Sequence, residues 1–364
     1  MSGSQNDGAI AAPKRIRHWA YAGVVLLLTG GLPLAAASDG YAGSAACAPC
    51  HQVEFASEQR TPMSRALQLG ENADILRKHP SLKFREGIYS TSITREGNRS
   101  SYTVADGTQT IRVPLYWAFG VAVVGQTYVL TYNGDWYESR LSYYRALDNL
   151  DITMGHANAV PRSLEEALGR KIHPAERSEC FACHATGGVE GREVHFQALT
   201  PGVQCENCHG PAAAHVASMK SAKPPLVVPA KLSQLTTEEM SDFCGRCHRT
   251  WAKIATDGPH DIRNLRFQPY RLVISKCYDA GDARIRCAAC HESHRDVETR
   301  ASAYDDKCRA CHNAHSQPRA AKVCMMATRN CVTCHMPKID FPGAHHTFTD
   351  HDIRIARSGE KYPD

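Results

Sequence analysis

The stretch from Cys287 to His351 carries Cys287-Ala-Ala-Cys290-His291, Cys308-Arg-Ala-Cys311-His312 and Cys331-Val-Thr-Cys334-His335, and ends in a tail holding His345, His346 and His351. Two cysteines three apart lie on one side of a helical turn. Both sulfurs can therefore form thioethers to the two vinyl groups of one porphyrin, and the next residue swings its imidazole under the iron. Working outward, the pattern recurs at Cys47/Cys50/His51, Cys180/Cys183/His184, Cys205/Cys208/His209 and Cys244/Cys247/His248. Fourteen of the 16 cysteines fall in these seven motifs. A zinc site uses such pairs too, but it does not require a histidine after every one. The expected cofactor is covalent haem c, seven per chain, with seven proximal histidines.

Of the other 12 of 19 histidines, His18 lies in the expected signal, and the 11 left supply candidate sixth ligands. His294 and His315 each follow a proximal histidine by three residues, so they point at a neighbouring haem rather than their own. His215 follows its motif by a short Gly-Pro turn, and His156 returns from the strand-rich stretch. In the tail, one of His345 and His346 is expected to ligate, with His351. Met63, in Thr61-Pro62-Met63-Ser64, is either a sixth ligand for the first iron, which would raise its potential, or a packed methionine. His79, His195 and His260 read as surface residues. Cys277 and Cys324 remain outside the motifs, as a disulfide or as free thiols. The motif cysteines and histidines leave no catalytic residue to assign.

The expected organisation is α+β. Short helices and loops wrap stacked haems, with a small antiparallel meander between the first and second motifs, whose first cysteines are 133 residues apart (180 − 47). Segments follow as 1–37 (signal), 38–83 (first haem segment), 84–160 (strand insertion) and 161–364 (six motifs). Within the insertion, 88–94, 101–105, 109–115, 126–132 and 135–143 are rich in β-branched and aromatic residues. Glu96-Gly97-Asn98, Asp106-Gly107 and Asn133-Gly134 punctuate them, the last predicting a type I′ hairpin. Ser163-Leu-Glu-Glu166 and Thr236-Thr-Glu-Glu239 predict helix starts by capping box, with Gly169 closing the first helix.

Lys14, Arg15 and Arg17 precede an apolar run from Trp19 to Leu34 and the small residues Ala35-Ala-Ala37, the pattern of an export signal. The run is shorter than the roughly 20 residues of a membrane span, so cleavage is expected over anchoring, with no stable span afterwards. The location implied is periplasmic or extracellular. A net charge of +5 with no basic stripe gives no reason to expect nucleic acid.

Tyr41-Ala-Gly-Ser-Ala-Ala-Cys47, Cys205-Glu-Asn-Cys-His-Gly-Pro211 with His215, Cys287-Ala-Ala-Cys-His-Glu-Ser-His294 and Cys334-His-Met-Pro-Lys338 with His345-His-Thr-Phe-Thr-Asp-His351 together resemble one family. It is that of the multihaem c-type cytochromes related to hydroxylamine oxidoreductase and the tetrahaem cytochromes of nitrifiers. The resemblance implies closely stacked haem pairs, electron transfer outside the cytoplasm, and distal roles for His215, His294 and the tail histidines. The chain departs from the family where relatives often carry a histidine soon after the first motif; here Met63 stands in that region. It also has no C-x-x-C-Lys motif. The function expected is a heptahaem carrier passing electrons between redox partner proteins, other cytochromes or quinol-linked donors. The alternative is an oxidoreductase in which one open iron acts on a small nitrogen or sulfur compound.

Overall fold

The computed structural model describes residues 40–121, 123–156, 158–221, 227–312 and 324–363. All belong to the second of two compact units, Ala37–Asp364; the first, Met1–Ala36, lies outside the described residues together with the expected signal.

The strand region begins where side chains alternate between core and solvent. Strand β1 is Leu67–Leu69 and β2 is Ser81–Glu86. They are followed by β3 (Tyr89–Glu96), β4 (Arg99–Ala105) and β5 (Thr110–Pro114). In β4, Ser100, Tyr102 and Val104 are buried while the residues between them are not, the period of two that a one-faced sheet requires. Strands β2-β3-β4-β5 form an antiparallel sheet. Strands β6 (Trp117–Phe119), β7 (Gly125–Tyr132), β8 (Asp135–Ser139), β9 (Leu141–Tyr144), β10 (Asn149–Ile152) and β11 (Gly169–Lys171) join β1 in a second. Its path is β1-β6-β7-β8-β11, with β9 on β7 and β10 on β9.

Asn133 and Gly134 both have positive φ, 50° and 84°, between the paired Tyr132 and Asp135, as the expected I′ turn requires. Two features of the expected meander need correction. It is two sheets spanning Leu67 to Lys171 rather than one small sheet inside 84–160. The expected strand 135–143 breaks at Arg140, whose buried guanidinium forks onto Glu86 and whose N–H donates to the Leu168 carbonyl (3.0 Å). Tyr102, Ile93, Tyr128, Leu130, Leu141 and Leu168 pack one continuous core between the sheets and the helix Leu164–Leu168. Each fully buried apolar side chain contributes on the order of 1.5–3 kcal/mol.

The Ser163 hydroxyl accepts from the Glu166 N–H, as predicted. Gly169 does not close this helix in the left-handed region. Its backbone is extended, and a side chain there would meet the Glu138 carbonyl at 2.1 Å, so close backbone approach is what requires glycine. Thr236 makes the complete capping box with Glu239, starting the helix Thr237–His248 that carries the fourth motif. The other motif helices are short: Pro174–His184 ends in the second motif, while Cys205–His209, Cys287–Cys290 and Cys331–His335 barely exceed one turn. The C-terminal hairpin pairs Lys338–Phe341 with His346–Thr349. Among the described residues no helix is long and apolar enough to cross a membrane.

Candidate haem-ligand histidines and motif cysteines

The motif helices are seated by buried polar residues. Glu206, inside the third motif, accepts the N–H groups of Ala42 and Gly43 (2.7 Å each) and of Ala212 (2.8 Å), clasping the approach to the first motif onto the third. Asp305 accepts from Asn330 and Cys331 (2.9 Å each) and so caps the seventh motif helix. An acidic residue one turn before the motif would have been legible. One 26 residues away (331 − 305), or one occupying a variable motif position, was not.

The motif segments lie against one another. The thiols of Cys47 and Cys205 interact, as do those of Cys183 with Cys247, Cys244 with Cys287, and Cys308 with Cys331. Cys208 lies within electrostatic reach of Cys244, and Cys290 of Cys308. All seven motifs therefore connect: the seventh, sixth, fifth, fourth, third and first in line, with the second beside the fourth. Burial pushes the Cys47 thiol up to about 11 and the Cys180 thiol to about 12. These surroundings favour uncharged sulfur, the form a thioether has.

The first motif departs from the expected helical turn at Cys50. The helix there is Gln52–Glu58, so Cys50 precedes it and sits in a surface turn. Its N–H donates to the Cys47 carbonyl at 3.2 Å, and the His51 N–H donates to the same carbonyl at 2.9 Å. Two bonds to one carbonyl wind the backbone as a helix start would, which keeps the two cysteines close without a helix around them. Cys47 packs against the third motif, but Cys50 is exposed. In each of the fifth and seventh motifs the second cysteine, Cys290 or Cys334, is exposed as well, while its first is half-buried.

The histidines divide by which nitrogen the protein holds. Nδ1 of His184 lies 3.0 Å from the Ala66 carbonyl, that of His209 3.4 Å from Ala230, and that of His335 2.8 Å from Arg354. His215 and His351 do the same with Val227 (2.7 Å) and Thr349 (3.1 Å). A carbonyl only accepts, so Nδ1 carries the proton and Nε2 keeps its lone pair, the tautomer of a metal-ligating histidine. His156 and His345 have the opposite arrangement. Nε2 of His156 meets Glu138 (3.1 Å) in a buried setting, and Nε2 of His345 meets Asp151 (2.8 Å). Carboxylates on β8 and β10 therefore hold this nitrogen in both.

Two imidazole pairs have the separation that an iron between them would require. The ring centroids of His209 and His294 are 6.1 Å apart with planes 8° from parallel, and those of His291 and His351 are 6.1 Å apart at 39°. A metal–imidazole bond is about 2 Å long. Two in line, with each centroid about 1 Å behind its nitrogen, span roughly 6 Å. Each pair joins a motif histidine to a histidine from elsewhere in the chain. Burial lowers His351 to about 4, keeping it neutral and able to ligate. His248 and His291 are also held below the usual range by burial, and His248 bonds Gln268.

The other expected positions are placed as follows. Met63 is 38% exposed, and its carbonyl receives the Val203 N–H (2.9 Å) ahead of the third motif. His51 is exposed beside Cys50, and His312 is exposed too. His315 lies outside the described residues. His346 is exposed against Phe348. Among the expected surface histidines, His79 instead packs on Tyr143. The Cys277–Cys324 disulfide is not formed: both are free. Cys277 bonds Ser275 and faces Cys290 and Cys308 of the fifth and sixth motifs, whereas Cys324 is exposed.

Residues 149–210, from β10 through the third motif, match the family described as cytochrome c554 and c-prime. The multiheme cytochrome MtrA of Shewanella baltica is 25% identical over 215 residues, covering 54% of this chain. The chain in turn spans 56% of that relative's length. The chain is similar to multihaem c-type cytochromes. The crystal structure of the outer cell wall cytochrome OcwA aligns over 86% of this chain and 79% of its own, at 14% identity and a TM-score of 0.49.

Proposed function

We propose that this chain is an exported heptahaem c-type cytochrome that moves single electrons along its haems between redox partner proteins. The observation that carries this reading is the spacing of His209–His294 and His291–His351, each wide enough for one iron and its two axial bonds. Haem c supplies the one-electron redox couple when bound. The chain's own residues attach it through Cys47/Cys50, Cys180/Cys183, Cys205/Cys208, Cys244/Cys247, Cys287/Cys290, Cys308/Cys311 and Cys331/Cys334. His51, His184, His209, His248, His291, His312 and His335 are the proximal ligands. Histidines on both sides of an iron, as His209–His294 and His291–His351 would supply, suit a carrier because neither side would be open to substrate.

The contacts between motif thiols support a continuous path from the seventh motif to the first with a branch at the second. Kinship with the hydroxylamine oxidoreductase group rests on the motifs running from Cys205 to His215, Cys287 to His294 and Cys334 to His351. Export rests on the charge and hydropathy of residues 1–37, and with it goes the proposal of a periplasmic or extracellular location. The alternative, an open-site oxidoreductase, has no specific observation in its favour.

The test is a reductive titration of the purified protein alongside a haem count by mass. The expected result is seven haems and about seven electrons per chain, with reoxidation by an acceptor protein. A count below seven would overturn the heptahaem reading. Sustained turnover of nitrite, hydroxylamine or tetrathionate would overturn the carrier reading.

A further inference from the structure

Proximal histidines are tethered through the adjacent motif cysteines, but distal ones are held only by tertiary structure. His294 is a partial exception. It follows His291 by three residues, so attachment at Cys287 and Cys290 also brings it near His209. His351 has no such tether. It stands 16 residues past His335 (351 − 335), beyond the C-terminal hairpin.

A buried ion cluster fixes the chain beside it. Arg271, on the helix Gln268–Val273, has a side chain 0% exposed and forks onto Asp350, also 0% exposed. Its Nε donates to Oδ1 at 2.9 Å and its Nη2 to Oδ2 at 3.0 Å. Its Nη1 donates to the Pro363 carbonyl at 2.7 Å, and the guanidinium carbon lies 4.6 Å from the Tyr362 ring centroid. Asp350 also accepts from Arg354 Nη1 (2.6 Å), while Arg354 pairs with Glu360 (2.7 Å). The Arg354 carbonyl is the acceptor for His335 Nδ1 (2.8 Å), and the Asp350 N–H donates to Pro337 (2.9 Å). One cluster thus stands between His351, directly after Asp350, and His335, the proximal histidine of the seventh motif.

A buried ion pair gains little stability over well-packed apolar residues, because desolvation cancels most of the attraction. A bidentate arginine fork does fix position and angle. We propose that Arg271 is the positioning residue that holds His351 on the fifth haem's iron, and that its cluster couples this ligation to His335 of the seventh. The proposal rests on the His291–His351 pairing proposed above.

The experiment compares full-length holoprotein carrying Arg271→Leu, Arg271→Lys or His351→Ala with the wild type. It uses haem count, low-temperature EPR and imidazole titration. Arg271→Leu is expected to keep the wild-type haem count while about one haem per chain becomes high-spin. Added imidazole should return that haem to low-spin, as it should in His351→Ala, and the double variant should show no larger high-spin signal than either single one. Arg271→Lys keeps the buried charge but cannot fork, so a fraction of the fifth haem should become high-spin. A wild-type spectrum in Arg271→Leu, with a high-spin haem in His351→Ala, overturns the positioning role alone. A wild-type spectrum in His351→Ala overturns the pairing itself. If Arg271→Leu loses haem on purification, Arg271→Lys decides: a wild-type spectrum there overturns the proposal.

Discussion

The strand region and the motif-bearing region are built on different terms. Between Leu67 and Lys171, paired strands present alternate side chains to a core containing Ile93, Tyr102, Tyr128, Leu130 and Leu141, all 1% exposed or less. In the helices Cys205–His209, Cys287–Cys290 and Cys331–His335, the only buried residue is Glu206. Isolated helices shorter than about 12 residues are marginal in water, and these have no apolar stripe to dock. The strands carry their own hydrophobic driving force. The motif helices have polar clasps instead, from Glu206 and Asp305. Haem attached at these motifs would add apolar contacts that the bare helices lack.

The largest expected effect separates the two regions outright. In chain prepared without haem, hydrogen exchange should leave β3, β4 and β7 protected while the helices Cys205–His209, Cys287–Cys290 and Cys331–His335 exchange freely. Equal protection in both regions would break the contrast. Leu130→Ala tests the reverse: it should cost about 2–5 kcal/mol in the strand region, measured by denaturant unfolding followed at the tyrosines, with the haem spin state unchanged. Glu206→Gln sharpens the contrast from within a motif. It replaces a carboxylate receiving three backbone N–H groups with an amide, at an expected cost of about 1–3 kcal/mol. Limited proteolysis should then cut near Ala42 and Gly43 faster than in wild type. Thr236→Ala removes a complete capping box and should cost about 1 kcal/mol. The loss should appear as earlier thermal unfolding with an unaltered Soret band.

The sequence was legible where function repeats a short pattern or where local rules act alone. The seven motifs, the Asn133-Gly134 turn and the Thr236 capping box are of this kind, since each depends on residues within a few positions. The motif spacing did not tell that Cys50 lies outside a helix, because the turn around it is set by where the helix Gln52–Glu58 begins. The strands β1, β2, β6, β10 and β11 were missed because three to six residues leave too little alternation to register, and long-range pairing decides them. Gly169 was given the right prominence for the wrong reason: the Glu138 carbonyl that excludes a side chain lies 31 residues away (169 − 138). The carboxylate partners of His156 and His345 were not legible, because histidine counts say nothing about which ring nitrogen a carboxylate holds. Arg271 and Asp350 are separated by 79 residues, and nothing local marks either as the partner of the other.

Low-temperature EPR of the oxidised protein, compared with His294→Ala and with His351→Ala, tests the axial pairs most directly. Each substitution should convert about one haem per chain from low-spin to high-spin, at the third motif for His294 and at the fifth for His351. Spectra identical to wild type in both variants would contradict the assignment of His209–His294 and His291–His351 as axial pairs.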